Sequence, residues 1–179
     1  MFNNQMHAAN EADFRKIYDA NIQLLLKVAC HIVNDLEAAE DLVHDSLIKM
    51  HEKQLVFPSP DDAKYWLLRV VKNASLNYAG RKTRERLAYK KVLDADEKQS
   101  DSGETIFLKT EEQQYIKESL EKLPPNLKIV LVLREYADLN YKEIGRVLNI
   151  TEGNVKIRIF RAREKLAKLI GENNDYVSR

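Results

Sequence analysis

The sequence predicts an all-α protein with two small helical domains joined by an acidic flexible linker. The 179 residues include five glycines and four prolines, whereas the helix-favouring Leu, Lys, Glu and Ala are abundant. In most segments apolar residues recur every three to four positions, roughly the repeat of an α-helix face. An acidic, polar stretch at 93–112 separates two basic helical parts. We therefore place the domains at 1–92 and 113–179.

Composition limits the classes of protein to which the chain can belong. Apolar residues make up 44% and charged residues 32%, as in a soluble protein with a packed core. The single cysteine, Cys30, excludes an internal disulfide, and its apolar helical surroundings predict a buried thiol. There is no signal-peptide pattern and no run near the ~20 apolar residues of a membrane span. We expect a cytoplasmic protein without membrane insertion.

The first two helices are predicted from apolar periodicity and from a capping residue between them. Residues 1–12 are polar and expected to be loose, and Ala12–Val33 reads as a packed helix. Asn34 breaks it, and Asp35 can cap a second helix over Glu37–Lys53.

The first turns of that second helix are acidic. Glu40, Asp41 and Asp45 follow Glu37 within three turns. Part of this charge complements the positive end of the helix, and a solvated acidic face is the usual interpretation of such a run. The functional alternative is a docking surface for a basic partner.

A third helix is predicted over Ala63–Tyr78, after a proline-containing break at Gln54–Asp62. Three weak helix formers lie close together near its end: Asn73, Ser75 and Asn77. We expect the helix to bend or break there.

Basic residues follow, and aromatic residues lie nearby. Arg81, Lys82 and Arg84 adjoin Trp66 and Tyr78. A basic run is often merely solvated, but cations interleaved with aromatic and amide groups are typical of single-stranded nucleic-acid binding. We favour the binding interpretation.

The second domain ends in a predicted helix-turn-helix over Tyr141–Ile170. Helix resumes at Glu111 and Pro124-Pro125 ends it; a central helix over Asn126–Ala137 follows, and Glu172–Arg179 forms a polar tail. Gly145 permits close helix contact, Asn149 tolerates the left-handed conformation, and Thr151 can cap the second helix.

The second helix of this motif has two incompatible faces. At about 100° per residue, Val155, Ile159 and Ala162 share the buried side. Its outward side carries Asn154, Lys156, Ile157, Phe160 and Arg161. Cations beside exposed apolar groups suit the DNA major groove, where phosphates, guanine edges and thymine methyls are met. The alternative is a surface helical hairpin with a basic face.

No catalytic constellation is present in the sequence. There is no glycine-rich phosphate loop, no nucleophile motif and no pair of carboxylates framed by histidine. His44 and His51 can share a helix face, but two histidines alone are weak evidence for a metal. We expect no enzyme activity, no metal and no cofactor.

The chain resembles the extracytoplasmic-function (ECF) sigma factors of bacterial RNA polymerase over about residues 12–170. The segment SLEKLPPNLKIVLVLREYADLNYKEIGRVLNITEGNVKIRIFRAREKL is similar to their C-terminal promoter-binding domain. AEDLVHDSLIKMHEK and YWLLRVVKNASLNYAGRKTR are similar to their N-terminal domain.

The resemblance implies roles for the regions described above. The helix with Glu40, Asp41 and Asp45 would dock on the β′ clamp helices of core RNA polymerase. Lys72–Tyr78 would correspond to the loop that holds a flipped base of the melted −10 strand, so its candidates are Asn73, Ser75 and Asn77. Trp66 is a further −10 candidate, and Arg81, Lys82 and Arg84 would contact the nucleic-acid backbone. Asn154, Lys156, Ile157, Phe160 and Arg161 would read the −35 duplex.

The family also implies control by an anti-sigma factor, and a few positions depart from its pattern. Ile157 stands where Ser is common, Asn154 where Thr is frequent, and Asn149 where the turn often has Gly. The first two departures should alter base or phosphate contacts.

The sequence therefore favours a sigma factor that gives RNA polymerase its promoter specificity. One alternative is a stand-alone helix-turn-helix regulator, such as a repressor or a response-regulator output domain, which would need neither the acidic helix nor the aromatic and basic segment. Another is a nucleic-acid enzyme such as a recombinase, for which the nucleophile or clustered acids are lacking.

Overall fold

The computed structural model describes residues 5–93 and 111–177, and the chain divides into two units, Met1–Ile106 and Phe107–Arg179. The first unit contains β1 (Met6–His7), α1 (Glu11–Val33), α2 (Leu36–Glu52), β2 (Val56–Phe57) and α3 (Pro60–Leu93). The second contains α4 (Glu111–Glu121), α5 (Pro125–Leu131), a π-helical segment (Val132–Tyr136), α6 (Tyr141–Leu148) and α7 (Glu152–Val177). The prediction of an all-α fold is confirmed. The predicted linker at 93–112 lies almost entirely outside the described residues.

In the first unit, α1 packs against α2 and α3 around an apolar core. Asn34 ends α1 in the left-handed conformation, with φ 59° and ψ 33°. The Asp35 carboxylate accepts a hydrogen bond from the Ala38 backbone N–H at 3.1 Å and so caps α2. These are the predicted break and cap. The core contains Ile17, Leu25, Val28, Val43, Leu47, Met50, Leu67, Leu68 and Val71.

The cysteine prediction is also confirmed. Cys30 is a free thiol buried in α1. Burial raises its pKa, and the nearby carboxylates of Glu40 and Asp35 add to the effect because they disfavour a thiolate. The thiol is therefore a core side chain of low reactivity.

The prediction of a loose N-terminus is wrong where the structure describes it. Met6 and His7 pair antiparallel with Phe57 and Val56, and Ala8 is fully buried. The two strands are two residues long, and about fifty positions separate them. Strands this short have no alternation of apolar and polar residues from which the pair could be predicted.

The break expected near Asn77 does not occur. Helix α3 is assigned as one α-helix from Pro60 to Leu93 and passes through Gly80 without interruption. Its first half is held by the core contacts of Leu67, Leu68 and Val71, which outweigh the weak propensities of a few polar residues. Lys72–Tyr78 is therefore helical and not a loop.

The second unit is built on α7, against which α4, α5 and α6 pack. The Tyr115 hydroxyl donates to the Ile170 backbone carbonyl at 2.7 Å and joins α4 to the far part of α7. Two differences from expectation are local. The predicted central helix widens into the π-helical segment after Leu131, and α7 continues to Val177 through most of the predicted polar tail.

Candidate nucleic-acid and partner surfaces

The turn of the helix-turn-helix has the predicted left-handed residue and the predicted cap. Asn149 has φ 55° and ψ 49°, and Thr151 Oγ1 accepts a hydrogen bond from the Asn154 backbone N–H at 3.3 Å. The backbone that approaches Gly145 closely belongs to the turn and not, as expected, to the other helix. A Cβ at this position would lie 2.7 Å from the Ile150 carbonyl oxygen, so the missing side chain makes room for the turn and not primarily for a helix–helix contact.

The start of α6 is fixed by two further groups of interactions. Asn140 and Glu143 form a capping box, in which each side chain accepts from the other residue's backbone N–H. The Arg134 guanidinium donates to the Leu139 carbonyl at 2.8 Å and lies 5.5 Å from the centre of the Tyr141 ring. The π-helical segment is thereby linked to the first helix of the motif. Sequence reasoning missed the role of Arg134.

Helix α7 has the two predicted faces. Val155, Ile159 and Ala162 are buried, whereas Ile157 is 49% and Phe160 is 70% exposed. The other predicted DNA contacts on this helix, Asn154, Lys156 and Arg161, are exposed as well. All five predicted −35 residues are therefore accessible on one helix, and whether they contact DNA stays a prediction.

Cations of α7 form ion pairs of two kinds, one within the helix and one with another segment of the unit. Lys156 lies 3.6 Å from Glu152 in an exposed pair that phosphate can readily replace. Arg163 donates to Glu135 at 2.8 Å, and that hydrogen bond is the main reason why the pKa of Arg163 is raised. Arg163 is thus engaged with its own unit.

In the first unit, most predicted −10 residues share one side of α3. At about 100° per residue, Trp66, Asn73, Asn77 and Arg84 fall within a narrow sector. Asn73, Asn77 and Arg84 are exposed, and Trp66 is half-buried. Amides, an aromatic ring and a cation in one row form a suitable surface for an unpaired strand.

Ser75 is a wrong assignment. Its side chain is fully buried, on the opposite side of α3 from Asn73 and Asn77. Within the described part of the chain, its hydroxyl has no hydrogen-bond partner. The helical angle of about 200° between Asn73 and Ser75 already places the two side chains on different sides of a continuous helix.

Of the three cations predicted to contact the nucleic-acid backbone, two interact with side chains of their own unit. Lys82 lies 3.3 Å from the carboxylate of Asp35. Arg81 lies 5.6 Å from the centre of the Tyr78 ring and 3.7 Å from Glu85. Both cations would have to exchange these contacts to reach a phosphate, whereas Arg84 has no such contact with any residue that the structure describes.

The acidic candidates on α2 are exposed, and an apolar side chain lies among them. Glu40, Asp41 and Asp45 are all accessible. Ile48, one helical turn beyond Asp45, is 54% exposed and was missed. The signal was available, because Ile48 does not fit the apolar stripe that Val43 and Leu47 share. Ile48 therefore adds one apolar side chain to the exposed acidic surface of α2.

A pocket of about 300 Å³ lies between the start of α2 and α3. Its charged and aromatic lining consists of Asp35, Glu37, Asp41, Tyr78 and Arg81. The pocket therefore connects the acidic surface of α2 with the basic segment of α3.

Neither metal ligands nor a membrane span was found in the described ranges. No group of three or more His, Cys, Asp or Glu side chains in residues 5–93 and 111–177 could hold a metal ion. No described helix is both long and apolar enough to cross a bilayer.

Comparison with protein families gives two matches in the order of the two units. Residues 17–85 match the family model described as sigma-70 region 2. Residues 113–166 match the model described as sigma-70, region 4. Each model falls within one unit of the structure.

Two curated relatives illustrate the similarity. The ECF RNA polymerase sigma-E factor of Haemophilus influenzae is 30% identical over 139 residues, which cover 73% of each chain. The RNA polymerase sigma-H factor of Pseudomonas aeruginosa is 27% identical over 154 residues, covering 82% of this chain and 80% of the relative.

Two solved structures share the fold. CnrH in complex with the cytosolic domain of CnrY is 21% identical, covers 92% of this chain and 93% of its own, and superposes with a TM-score of 0.66. The sigma factor RpoE in complex with the anti-sigma factor NepR from Bartonella quintana is 22% identical, covers 89% and 97%, and has a TM-score of 0.62.

Proposed function

This chain belongs to the ECF sigma factors of the sigma-70 family, and from that premise we propose that it binds bacterial core RNA polymerase and directs it to particular promoters. One observation carries the proposal. A region 2 unit and a region 4 unit occur in one chain, and each exposes a surface suited to a separate task. The alternative of a stand-alone helix-turn-helix regulator is disfavoured because it leaves the whole region 2 unit without a role.

The proposed −35 reader is the outward face of α7. Lys156 and Arg161 supply cations for phosphates or guanine edges, and the exposed Ile157 and Phe160 supply apolar contacts for thymine methyls. Asn154, next to the helix start, is suited to a phosphate or an adenine edge. Burying these two apolar residues against a groove would remove their exposure to water.

The proposed −10 reader is the row on α3 formed by Trp66, Asn73, Asn77 and Arg84. A half-buried aromatic ring offers a stacking surface, and the two amides can donate to and accept from an unpaired base. Arg81 and Lys82 are proposed as backbone contacts that exchange their internal partners for phosphate. Ser75 is excluded from the row because its side chain is buried.

The proposed docking surface for the polymerase β′ clamp helices is α2. Glu40, Asp41 and Asp45 provide negative charge for a basic partner, and Ile48 provides an apolar anchor. Ile48 gives a partner an apolar side chain to bury beside these charges, as at the centre of a protein interface.

We also propose an anti-sigma factor as a partner and the cytoplasm as the place of action. A solved relative of the same fold was captured with an anti-sigma factor, and core RNA polymerase is itself cytoplasmic. The proposed activity requires no covalent chemistry by the chain, so the role is that of an initiation factor and not an enzyme.

Run-off transcription with bacterial core RNA polymerase tests the proposal. The full chain would be added to core enzyme on a pool of promoter fragments. We expect discrete new start sites that depend on the protein, with shared sequences upstream. An Arg161→Ala chain is the control, because it should lose −35-dependent starts while still binding core enzyme. Tight duplex binding without any stimulation would instead identify a stand-alone regulator.

A further inference from the structure

The N-terminal strand β1 holds the connection between α2 and α3 in place. Met6 pairs with Phe57 and His7 with Val56 in the antiparallel pair. The Ala8 backbone N–H donates to the Leu55 carbonyl at 2.8 Å and extends the contact by one residue. A segment near the start of the chain therefore runs directly beside β2.

Strand β1 is itself fixed at both of its ends. Met6 and Ala8 are buried, so the strand is anchored by side chains as well as by backbone pairing. The His7 backbone N–H donates to the Asp13 carboxylate at 3.1 Å, which connects the strand to the first turns of α1. A strand of two residues has little stability alone, and these anchors explain why this one is ordered.

The pairing determines where one aromatic ring lies. Phe57 is only 6% exposed, and its ring centre is 5.9 Å from that of Trp66, with the planes tilted by 57°. This distance and tilt are within the favourable range for aromatic pairs. One edge of Trp66 is therefore packed, while the residue remains partly open on the same side of α3 as Asn73 and Asn77.

We propose that Phe57 is a positioning residue for Trp66 and that strand β1 in turn positions Phe57. A half-exposed tryptophan without a packed neighbour samples several rotamers, and stacking a base on it then costs the entropy of selecting one. With Phe57 against it, Trp66 is held in one orientation before the strand arrives. The N-terminal segment is thus a support of the single-strand surface. The inference rests on the proposed role of Trp66.

The sequence provides a specific probe, because Trp66 is the only tryptophan in the chain. Its fluorescence and its quenching by acrylamide report its environment in the free full-length protein. We expect Phe57→Leu to make Trp66 more accessible to acrylamide. In holoenzyme reconstituted with core RNA polymerase, the same change should weaken binding of a labelled AT-rich single-stranded oligonucleotide by about fivefold, a fraction of a full stacking contact.

Phe14→Leu is the matched control. In the described part of the chain, the ring contacts of Phe14 are with His51 at 5.4 Å and Tyr18 at 6.4 Å, and not with Trp66. The same residue change should therefore leave quenching and single-strand affinity unaltered. Thermal melting of each variant by circular dichroism reports whether the unit remains folded.

A second variant starts the chain at Ala8, after an initiator methionine, and so removes β1. We expect it to reproduce both effects of Phe57→Leu. If Phe57→Leu changes neither quenching nor affinity while Trp66→Ala weakens strand binding, the positioning role is overturned and the proposed function stands. If Trp66→Ala leaves strand affinity unchanged, the proposed role of Trp66 fails, and the inference fails with it.

Discussion

At the scale of single residues, the tight turn of the helix-turn-helix requires glycine at position 145. A Cβ there would meet the Ile150 carbonyl oxygen at 2.7 Å, and because that oxygen is backbone it cannot rotate away. We expect Gly145→Ala to lower the free energy of unfolding of the second unit by about 1–3 kcal/mol through backbone displacement. Urea unfolding followed by circular dichroism measures the change.

Gly153→Ala is the matched control for that prediction. A Cβ at Gly153 has no atom within 4 Å, and alanine is favoured over glycine in a helix by up to ~1 kcal/mol. The substitution should therefore stabilise the unit or leave it unchanged. Equal destabilisation by both substitutions would contradict the clash with the turn as the cause at Gly145, because helix propensity favours alanine at both positions.

Arg161 belongs to the same scale, because its proposed role depends on one side chain. If its guanidinium reads a base edge, Arg161→Ala should weaken binding of the holoenzyme to a −35 duplex by ~1–3 kcal/mol. Fluorescence anisotropy with a labelled fragment gives this value. Arg163→Ala serves for comparison, because Arg163 is paired with Glu135 at 2.8 Å. Similar losses for both variants would indicate a general charge effect.

At the scale of elements, the start of α2 combines a cap and an ion pair in one carboxylate. Asp35 accepts from the Ala38 backbone N–H and lies near Lys82. The pKa of Asp35 is lowered mainly by that backbone hydrogen bond, with Lys82 contributing. Asp35→Ala should cost about 0.5–2 kcal/mol through loss of the cap, whereas Asp35→Asn keeps a capping acceptor and should cost less.

The same lowered pKa predicts a pH dependence. Ionised Asp35 stabilises the folded unit above its ordinary pKa of about 3.9, and this contribution is lost as pH falls through the lower folded-state pKa. The stability difference between the wild type and Asp35→Asn should therefore shrink in acid. Urea unfolding of both proteins at about pH 7 and about pH 3 compares the two values. A constant difference would contradict a role for the charge.

The exposed surface of α2 supports a prediction about docking. Reversing Asp41 and Asp45 to Lys should sharply reduce binding to core RNA polymerase and leave duplex binding by the second unit unchanged. The control reverses Glu11 and Asp19, two exposed acids on α1, and so alters the net charge equally. Co-purification with core enzyme measures the effect. Equal binding by the two double variants would refute the docking assignment.

At the scale of the whole molecule, charge placement matters more than total charge. The formal net charge is +1, yet an acidic surface on α2 and basic faces on α3 and α7 occur in one chain. Surfaces of opposite charge allow the chain to attract a basic protein and a polyanion at different sites. A net charge near zero therefore says nothing against nucleic-acid binding.

Features that depend on residues close together in the sequence could be predicted, whereas contacts between residues far apart in the sequence could not. The helix-turn-helix was predicted down to Asn149 and Thr151 because turn, cap and faces are encoded within a few residues. The pairing of β1 with β2 and the contact of Lys82 with Asp35, 47 positions apart, were not predicted. Such contacts depend on how helices pack, and no local pattern encodes that packing.

In the candidate site, too, local features could be predicted and those that depend on long-range packing could not. The exposed face of α7 followed from helical geometry alone, whereas the continuity of α3 and the burial of Ser75 depended on the surrounding core. Core contacts from Leu67 to Val71 extend the helix past residues whose propensities favour a break. Applying the helical angle to Asn73, Ser75 and Asn77 would have corrected the assignment at the sequence level.

The burial of Cys30 makes the natural chain a convenient background for site-specific labelling. Maleimide dyes react with accessible thiolates, and the only native thiol is buried with a raised pKa. One new cysteine at exposed Lys53 and another at exposed Lys165 would place a donor and an acceptor dye on separate units without removing the native residue. Single-molecule energy transfer between them would then follow the separation of the two units as polymerase, promoter or anti-sigma factor is added.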